Sequence, residues 1–144
     1  MGIKRGISII MALICLLSSI SFAVYAIDPN DDEIQASGLI FQFNMAASKD
    51  SSTKLYIEGF TDCDPVVVKC GFKDLKVQRR ANSTSSWADY YNFGNVYEDT
   101  DYAIISRSLT VEPGYQYRVT CKHYAKKNLF STQTISNTSN IVTF

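Results

Sequence analysis

Histidine, proline and tryptophan are scarce in this chain of 144 residues, which contains one histidine, three prolines and one tryptophan. So few prolines exclude a proline-rich linker or a low-complexity protein. A single histidine, His123, and no paired C-x-x-C spacing argue against a zinc site. The same scarcity leaves a serine or cysteine hydrolase only one residue that can serve as its imidazole base. We predict no catalytic residue, no metal site and no cofactor.

The longest apolar run lies at the N-terminus, where residues 1–26 have the three parts of a secretory signal peptide. Lys4 and Arg5 form the positive segment, residues 7–24 carry no charge, and Ala26 is the small residue at the cleavage site. We predict a signal-peptide helix, cleavage after Ala26, and a secreted, extracellular mature protein.

Two other interpretations of this segment stay open. About 18 apolar residues could just span a bilayer as an uncleaved anchor, although serines interrupt the second half and acidic residues follow at once. Cys15 suggests a lipoprotein, but Ile14 stands where a small residue is needed. Cleavage after Ala26 is the preferred interpretation.

Charge of either sign is not in excess. The whole chain has 14 basic and 14 acidic residues, and removal of the segment with Lys4 and Arg5 leaves a formal charge of 12 − 14 = −2. Near-neutrality argues against a nucleic-acid binder and against a protein that binds anionic membranes after signal removal.

The rest of the chain shows strand periodicity and no sustained helical spacing. We predict a flexible acidic leader at residues 27–38 and one β-sandwich domain at residues 39–144. The clearest strand is 115–123, where Tyr117, Val119 and His123 alternate with polar residues. Other strands are predicted at 39–43, 54–58, 66–70, 75–79, 102–106, 108–111 and within 132–144, with connections at 46–53, 81–86 and 125–130. Six to eight short strands predict an all-β fold of two packed antiparallel sheets.

Two stretches resemble fibronectin type III and other immunoglobulin-like domains. They are Leu75-Lys-Val-Gln-Arg-Arg80, followed by Trp87, and Leu109-Thr-Val-Glu-Pro-Gly-Tyr-Gln-Tyr-Arg-Val119. The resemblance implies an antiparallel β-sandwich in which Leu75 and Val77 pack with Val119. It also implies a corner tyrosine that bonds back to the backbone.

Residues 54–144 are also similar to a family of small secreted Firmicutes proteins of unknown function. The shared features are the signal peptide, the L-x-V-Q-R strand, the following Trp87, the G-Y-x-Y-R-V strand and a polar ending. The resemblance implies a Gram-positive source and the same sandwich, and it supplies no activity. The chain departs from the family pattern at Cys63 and the adjoining Asp64-Pro65.

Three cysteines, Cys63, Cys70 and Cys121, follow the signal segment. Export favours one disulfide. A Cys70–Cys121 bond would close about 50 residues and stabilise the fold by about 4 kcal/mol, whereas Cys63–Cys70 would close about eight residues for about 2.5 kcal/mol. We therefore prefer Cys70–Cys121, while Cys63–Cys70 and three reduced thiols stay open.

Basic and aromatic residues suggest a binding face for a glycan or an anionic wall polymer. Its candidate members are Arg79, Arg80, Trp87, Tyr90, Tyr91, Lys122 and Tyr124. The alternative is structural, with lysines that protect sheet edges and aromatic residues in the core.

Three functions remain. The first is a secreted, non-catalytic module that binds an extracellular protein or an envelope glycan. The second is a bacteriocin-like or membrane-active effector, which requires exposed apolar surface or an amphipathic segment, and the sequence shows no such segment. The third is a small hydrolase, which requires His123 to be exposed in a pocket.

Overall fold

The structure, a computed structural model, describes residues 38–144. The signal segment, its cleavage site and the leader up to residue 37 lie outside the described residues. Within them the chain forms eight strands: β1 Ile40–Ser51, β2 Lys54–Cys63, β3 Lys69–Arg80, β4 Ala88–Glu98, β5 Tyr102–Thr110, β6 Gln116–Asn128, β7 Ser131–Thr138 and β8 Val142–Thr143. None of the described residues forms a helix long and apolar enough to cross a membrane.

The strands form two antiparallel sheets. One has the order β1-β2-β5, and the other has the order β4-β3-β6-β7, with β8 paired to the first residues of β6. All the pairings between neighbours are antiparallel. The predicted all-β class is therefore confirmed for the described residues.

The core lies between the sheets and draws on both. Leu55 and Ile57 of β2 are buried in one cluster with Leu75, Val77 and Val119 of the five-stranded sheet. Val77 lies directly opposite Val119 in the pairing of β3 with β6. Alternate residues of β2 and β6 thus supply apolar contacts, as the period-two pattern of the sequence predicts.

The corner before β6 is closed by Tyr117, which is fully buried. Its hydroxyl donates to the carbonyl oxygen of Glu112 at 2.9 Å and accepts from the Glu112 backbone N–H at 3.0 Å. This is the tyrosine corner that the P-G-x-x-Y pattern implied.

The strand predicted at 66–70 is wrong over its first three residues. The Asp64 carboxylate accepts from the Val66 N–H, and its carbonyl oxygen accepts from the Val67 N–H, so the backbone turns here. Val66 and Val68 are left exposed, and β3 begins only at Lys69. Valine content alone predicted a strand where a local side-chain bond holds a turn.

β4 was not predicted, although the polar turn at 81–86 before it was. Its pairing with β3 is interrupted by three register shifts, which lie between Phe72 and Leu75, between Leu75 and Lys76, and between Val77 and Gln78. These shifts destroy the alternation of buried and exposed residues by which a strand is recognised in a sequence. β1 and β6 also run further than predicted, to Ser51 and Asn128. Their polar ends form hairpins instead of loops.

Candidate functional site

The side of the five-stranded sheet that points away from the core is here called the outer face. It carries Lys76, Gln78 and Arg80 of β3 and Arg118 and Lys122 of β6, all exposed or half-buried. The residues between them are mostly buried, because successive side chains of a strand point to opposite sides.

One end of the outer face is built around Trp87. The guanidinium carbons of Arg80 and Arg118 lie 4.5 and 4.3 Å from the centre of its ring, within cation–π distance. Arg80 Nε donates to Gln116 Oε1 at 2.8 Å, and Arg118 Nε donates to Gln78 Oε1 at 3.0 Å. Both arginines are therefore held in place by neighbouring side chains.

The seven candidate binding residues do not form one surface. Arg80, Trp87, Lys122 and Tyr124 share the outer face. Arg79 instead packs on Tyr90, with its guanidinium carbon 4.8 Å from the ring centre, and Tyr91 packs on Phe93. The register shift between Val77 and Gln78 leaves Tyr90 as an extra residue of β4 with no partner in β3.

The middle of the outer face is a shallow polar concavity of about 520 Å³, here called the central groove. Its charged lining consists of Asp74, Lys76, Asp89 and Lys122, and asparagine, serine and threonine side chains supply most of the rest. Thr120 lies at its floor, and its buried hydroxyl has no hydrogen-bond partner among the described residues. This volume is within the range of small-molecule sites.

The four charges of the central groove cancel in two ion pairs. Lys76 Nζ lies 2.9 Å from Asp89 Oδ2, and Lys122 Nζ lies 2.9 Å from Asp74 Oδ2. Hydrogen bonds from Gln78 and Lys76 lower the pKa of Asp89, and the bond from Lys122 lowers the pKa of Asp74. Both acids are therefore ionised at neutral pH, and the groove presents charged groups with no net charge.

Asp74 occupies an unusual backbone position at the rim of the groove. Its φ of 52° is the only positive φ found for a non-glycine residue within 38–144. It lies in the β3 irregularity, and its N–H donates to Asn95 Oδ1 at 3.0 Å. Such irregularities redirect side chains and are common beside functional sites.

Beneath the groove lies His123, which is fully buried. The side-chain oxygen of Asn137 accepts from the Thr138 N–H at 2.7 Å, which fixes the orientation of the amide. The amide nitrogen therefore faces His123 Nε2, at 3.3 Å, and donates to it. Nε2 thus accepts, and Nδ1 carries the proton that it donates to Thr61 Oγ1 at 2.7 Å. Thr61 in turn donates to the Gly71 carbonyl at 3.3 Å. The imidazole is therefore held as one neutral tautomer.

Cys121 Sγ lies 3.7 Å from His123 Nε2, but the two groups do not form an activated nucleophile. Burial lowers the pKa of His123 to about 4 and raises the pKa of Cys121 to about 12. Both are neutral at physiological pH, whereas nucleophilic attack requires a thiolate. The hydrolase hypothesis required an exposed His123, and the structure does not meet that condition.

The preferred pairing of Cys70 with Cys121 does not match the structure. Cys70 lies opposite Ala125 in the register of β3 with β6, and its sulfur is 2.9 Å from that of Cys63. All three cysteines are buried free thiols. Loop-closure entropy favoured the longer loop, but the turn at Asp64 brings the two nearer cysteines together.

A second surface lies at the end of the molecule where β6 turns into β7. Leu129 and Phe130 occupy this turn and are 81% and 98% exposed. Val66 and Val68 lie at the same end, since the Val68 N–H donates to the carbonyl of Lys126. Sequence reasoning missed this apolar loop end, here defined by these four residues; the only signal was two large apolar residues, Leu129 and Phe130, inside the connection predicted at 125–130.

Neither a metal-binding group nor a similar protein indicates a function. No group of three or more His, Cys, Asp or Glu residues within 38–144 is placed to hold a metal ion. The chain matches no protein-family model, no curated protein and no solved structure.

Proposed function

We propose that the protein is a secreted, non-catalytic binding module with an immunoglobulin-like sandwich of the fibronectin type III kind. Strands 1, 2 and 5 share one sheet and strands 3, 6 and 7 share the other, which matches the immunoglobulin arrangement. The fourth strand pairs with β3 instead of joining the first sheet. The corner formed by Tyr117 further supports this fold.

The observation that carries the function is the central groove, and its proposed ligand is an envelope glycan. Two carboxylates and two ammonium groups, each paired within the protein, line it together with amides and hydroxyls. Sugar hydroxyls both donate and accept hydrogen bonds, so a lining with both kinds of group suits them. An anionic polymer would instead favour unpaired cations.

The neighbouring stack extends this surface beyond the groove. Gln78 donates to Asp89 Oδ1 at 2.8 Å and accepts from Arg118, which packs on Trp87. A chain of contacts thus joins the groove to the tryptophan. A glycan longer than the groove would meet this fixed polar and aromatic surface next.

Binding to solubilised envelope polysaccharide, measured by titration calorimetry, tests the proposal. We expect Lys122→Ala to weaken binding by about tenfold, because a charged hydrogen-bond donor of the groove is lost. Arg107→Ala is the matched control, since it removes the same charge from an exposed position on β5. Equal affinities for the two variants, or no binding by the parent protein at several salt concentrations, would rule out the groove as a glycan site.

The apolar loop end favours a second candidate, a membrane-active effector. Exposed apolar surface was one of the two features that this hypothesis required, and Phe130 and Leu129 provide it. We expect these side chains to insert into the bilayer interface, as the apolar face of an interfacial helix does.

Dye leakage from vesicles of zwitterionic lipid tests the second candidate. Wild-type protein should release dye, and Phe130→Ser should reduce the release. Ile104→Ser is the matched control, because Ile104 is 64% exposed but lies on β5, away from the loop end. Intact vesicles with the wild-type protein would eliminate this candidate.

A further inference from the structure

Cys63 and Cys70 occupy the junction between the two sheets. Cys63 is the last residue of β2, and Cys70 is the second residue of β3, so each belongs to a different sheet. Their sulfur atoms lie 2.9 Å apart, and both residues are buried. A disulfide requires a separation of about 2.05 Å, which a movement of less than about 1 Å would provide.

The surroundings make Cys70 the more readily ionised of the two. The Cys70 thiol donates to the Thr61 carbonyl oxygen at 3.2 Å, so the Cys63 thiol is the donor in its 2.9 Å contact with the Cys70 sulfur. This bond, together with backbone bonds at Gly71 and Ala103, lowers the pKa of Cys70. The same interaction raises the pKa of Cys63. Cys70 is therefore the sulfur that becomes a thiolate, the species that attacks a disulfide.

We propose that Cys63 and Cys70 form an intramolecular disulfide that joins the two sheets of the exported protein. The oxidant is a low-molecular-weight disulfide. The Cys70 thiolate attacks one of its sulfurs, breaks its S–S bond and releases one thiolate. Cys63 then loses its proton and attacks the Cys70 sulfur of the mixed disulfide, which releases the second thiolate. The two protein thiols lose two electrons and two protons, and the oxidant becomes two thiols.

The exchange takes place late in folding, when the two cysteines already lie side by side but a bulky oxidant can still reach sulfurs that are buried in the finished fold. The bond would fix the turn at 64–68, which carries Val66 and Val68 of the apolar loop end. Cys121 takes no part and stays a thiol beside His123. Export supplies the oxidising surroundings, but the pairing itself rests only on the geometry of the two sulfurs.

Refolding the reduced, unfolded chain in a glutathione and glutathione-disulfide buffer tests the pairing independently of export. Trypsin cleaves after Lys54, Lys69 and Lys73 and so separates the two cysteines into peptides 55–69 and 70–73. We expect these peptides to be recovered as one linked species, two hydrogens lighter than their sum. Recovery of both as separate alkylated peptides, or linkage of 70–73 to the peptide that contains Cys121, would overturn the proposal.

Serine variants measure what the bond does for the fold. In Cys121→Ser, oxidation should lower the unfolding equilibrium constant by about 60-fold, the effect of closing a loop of about eight residues. Cys63→Ser should show no difference between oxidising and reducing buffers. A stability change on oxidation that persists in Cys63→Ser would contradict the pairing, and the wild-type peptide map decides the question even if a variant does not fold.

Discussion

The two faces of the five-stranded sheet are built from alternate residues of the same strands, yet they treat polar groups in opposite ways. On the inner face His123 is fully buried, and its ring nitrogens are used within the protein by Thr61 and Asn137. One residue earlier, Lys122 lies on the outer face with about half of its side chain exposed. The inner face should therefore determine folding, whereas the outer face should determine binding.

The largest expected effect comes from Gly71, which breaks this alternation because it is buried although it pairs with Tyr124 of the outer face. Its φ is 151°, and a Cβ would lie 2.2 Å from the carbonyl oxygen of Val96. Gly71→Ala should cost about 4 kcal/mol, from backbone strain and a clash with backbone that cannot move aside. Urea unfolding measures it.

Gly94→Ala is the matched control for this prediction. Gly94 also has a positive φ, of 73°, but nothing lies within 4 Å of a Cβ built there. Only backbone strain remains, so the cost should be about 1 kcal/mol. Similar losses in the two variants would show that the contact with Val96 is not the cause.

The inner face should also make stability depend on pH through His123, the only histidine of the chain. Its pKa is lowered from 6.5 to about 4 by burial, so between these values the unfolded chain binds a proton that the folded chain excludes. Stability should therefore be full above pH 6.5 and decrease by about 3 kcal/mol as the pH falls to 4. Urea unfolding at several pH values checks this.

His123→Gln is the control, because it removes the titrating group and keeps the carboxylates. The pKa values of Asp74 and Asp89 are lowered by their partners, so their ion pairs are lost only as the pH falls through those lowered values. The difference between wild type and variant thus isolates the histidine. The same slope in both proteins would assign the effect to acids elsewhere.

The inner face was more predictable from the sequence than the outer face, for a physical reason. Burial repeats at every second residue, so the alternation from Tyr115 to His123 indicated β6 and which of its residues are buried. The corner formed by Tyr117 followed from a local motif, because both of its bonds reach back only five residues to Glu112.

The proposed binding surfaces depend on features with no period. The irregularity that places Asp74 at the rim of the groove and the three register shifts of β3 with β4 arise from pairing between strands. The contact of Cys70 with Cys63 depends on the turn at Asp64. The position of the apolar loop end depends on the residue at which β6 ends. Each is set by contacts between distant segments or by one local bond, so composition and spacing could not reveal it.

Tyr117→Phe should reduce stability by about 2 kcal/mol. The ring stays in the core, but the Glu112 N–H and carbonyl lose the hydroxyl that serves both. Tyr115→Phe is the control, since Tyr115 packs against Tyr117 while both bonds to Glu112 belong to Tyr117. Thermal unfolding of the two variants distinguishes loss of the two bonds to Glu112 from loss of a tyrosine hydroxyl in general. Equal melting temperatures would show that the bonds to Glu112 do not stabilise the fold.

The smallest effect is expected at Thr120, which belongs to the outer face but has a hydroxyl that is buried as polar groups of the inner face are. Its hydroxyl is buried at the floor of the groove without a partner among the described residues. Valine has nearly the same shape and no polar atom, so Thr120→Val should raise stability by up to about 1 kcal/mol. Thr138→Val, on the exposed residue opposite in β7, should change stability by less than about 0.5 kcal/mol.

A loss of stability in Thr120→Val would mean that the hydroxyl contributes to folding. A gain together with weaker glycan binding would mean that the outer face retains this hydroxyl for recognition at a cost in stability.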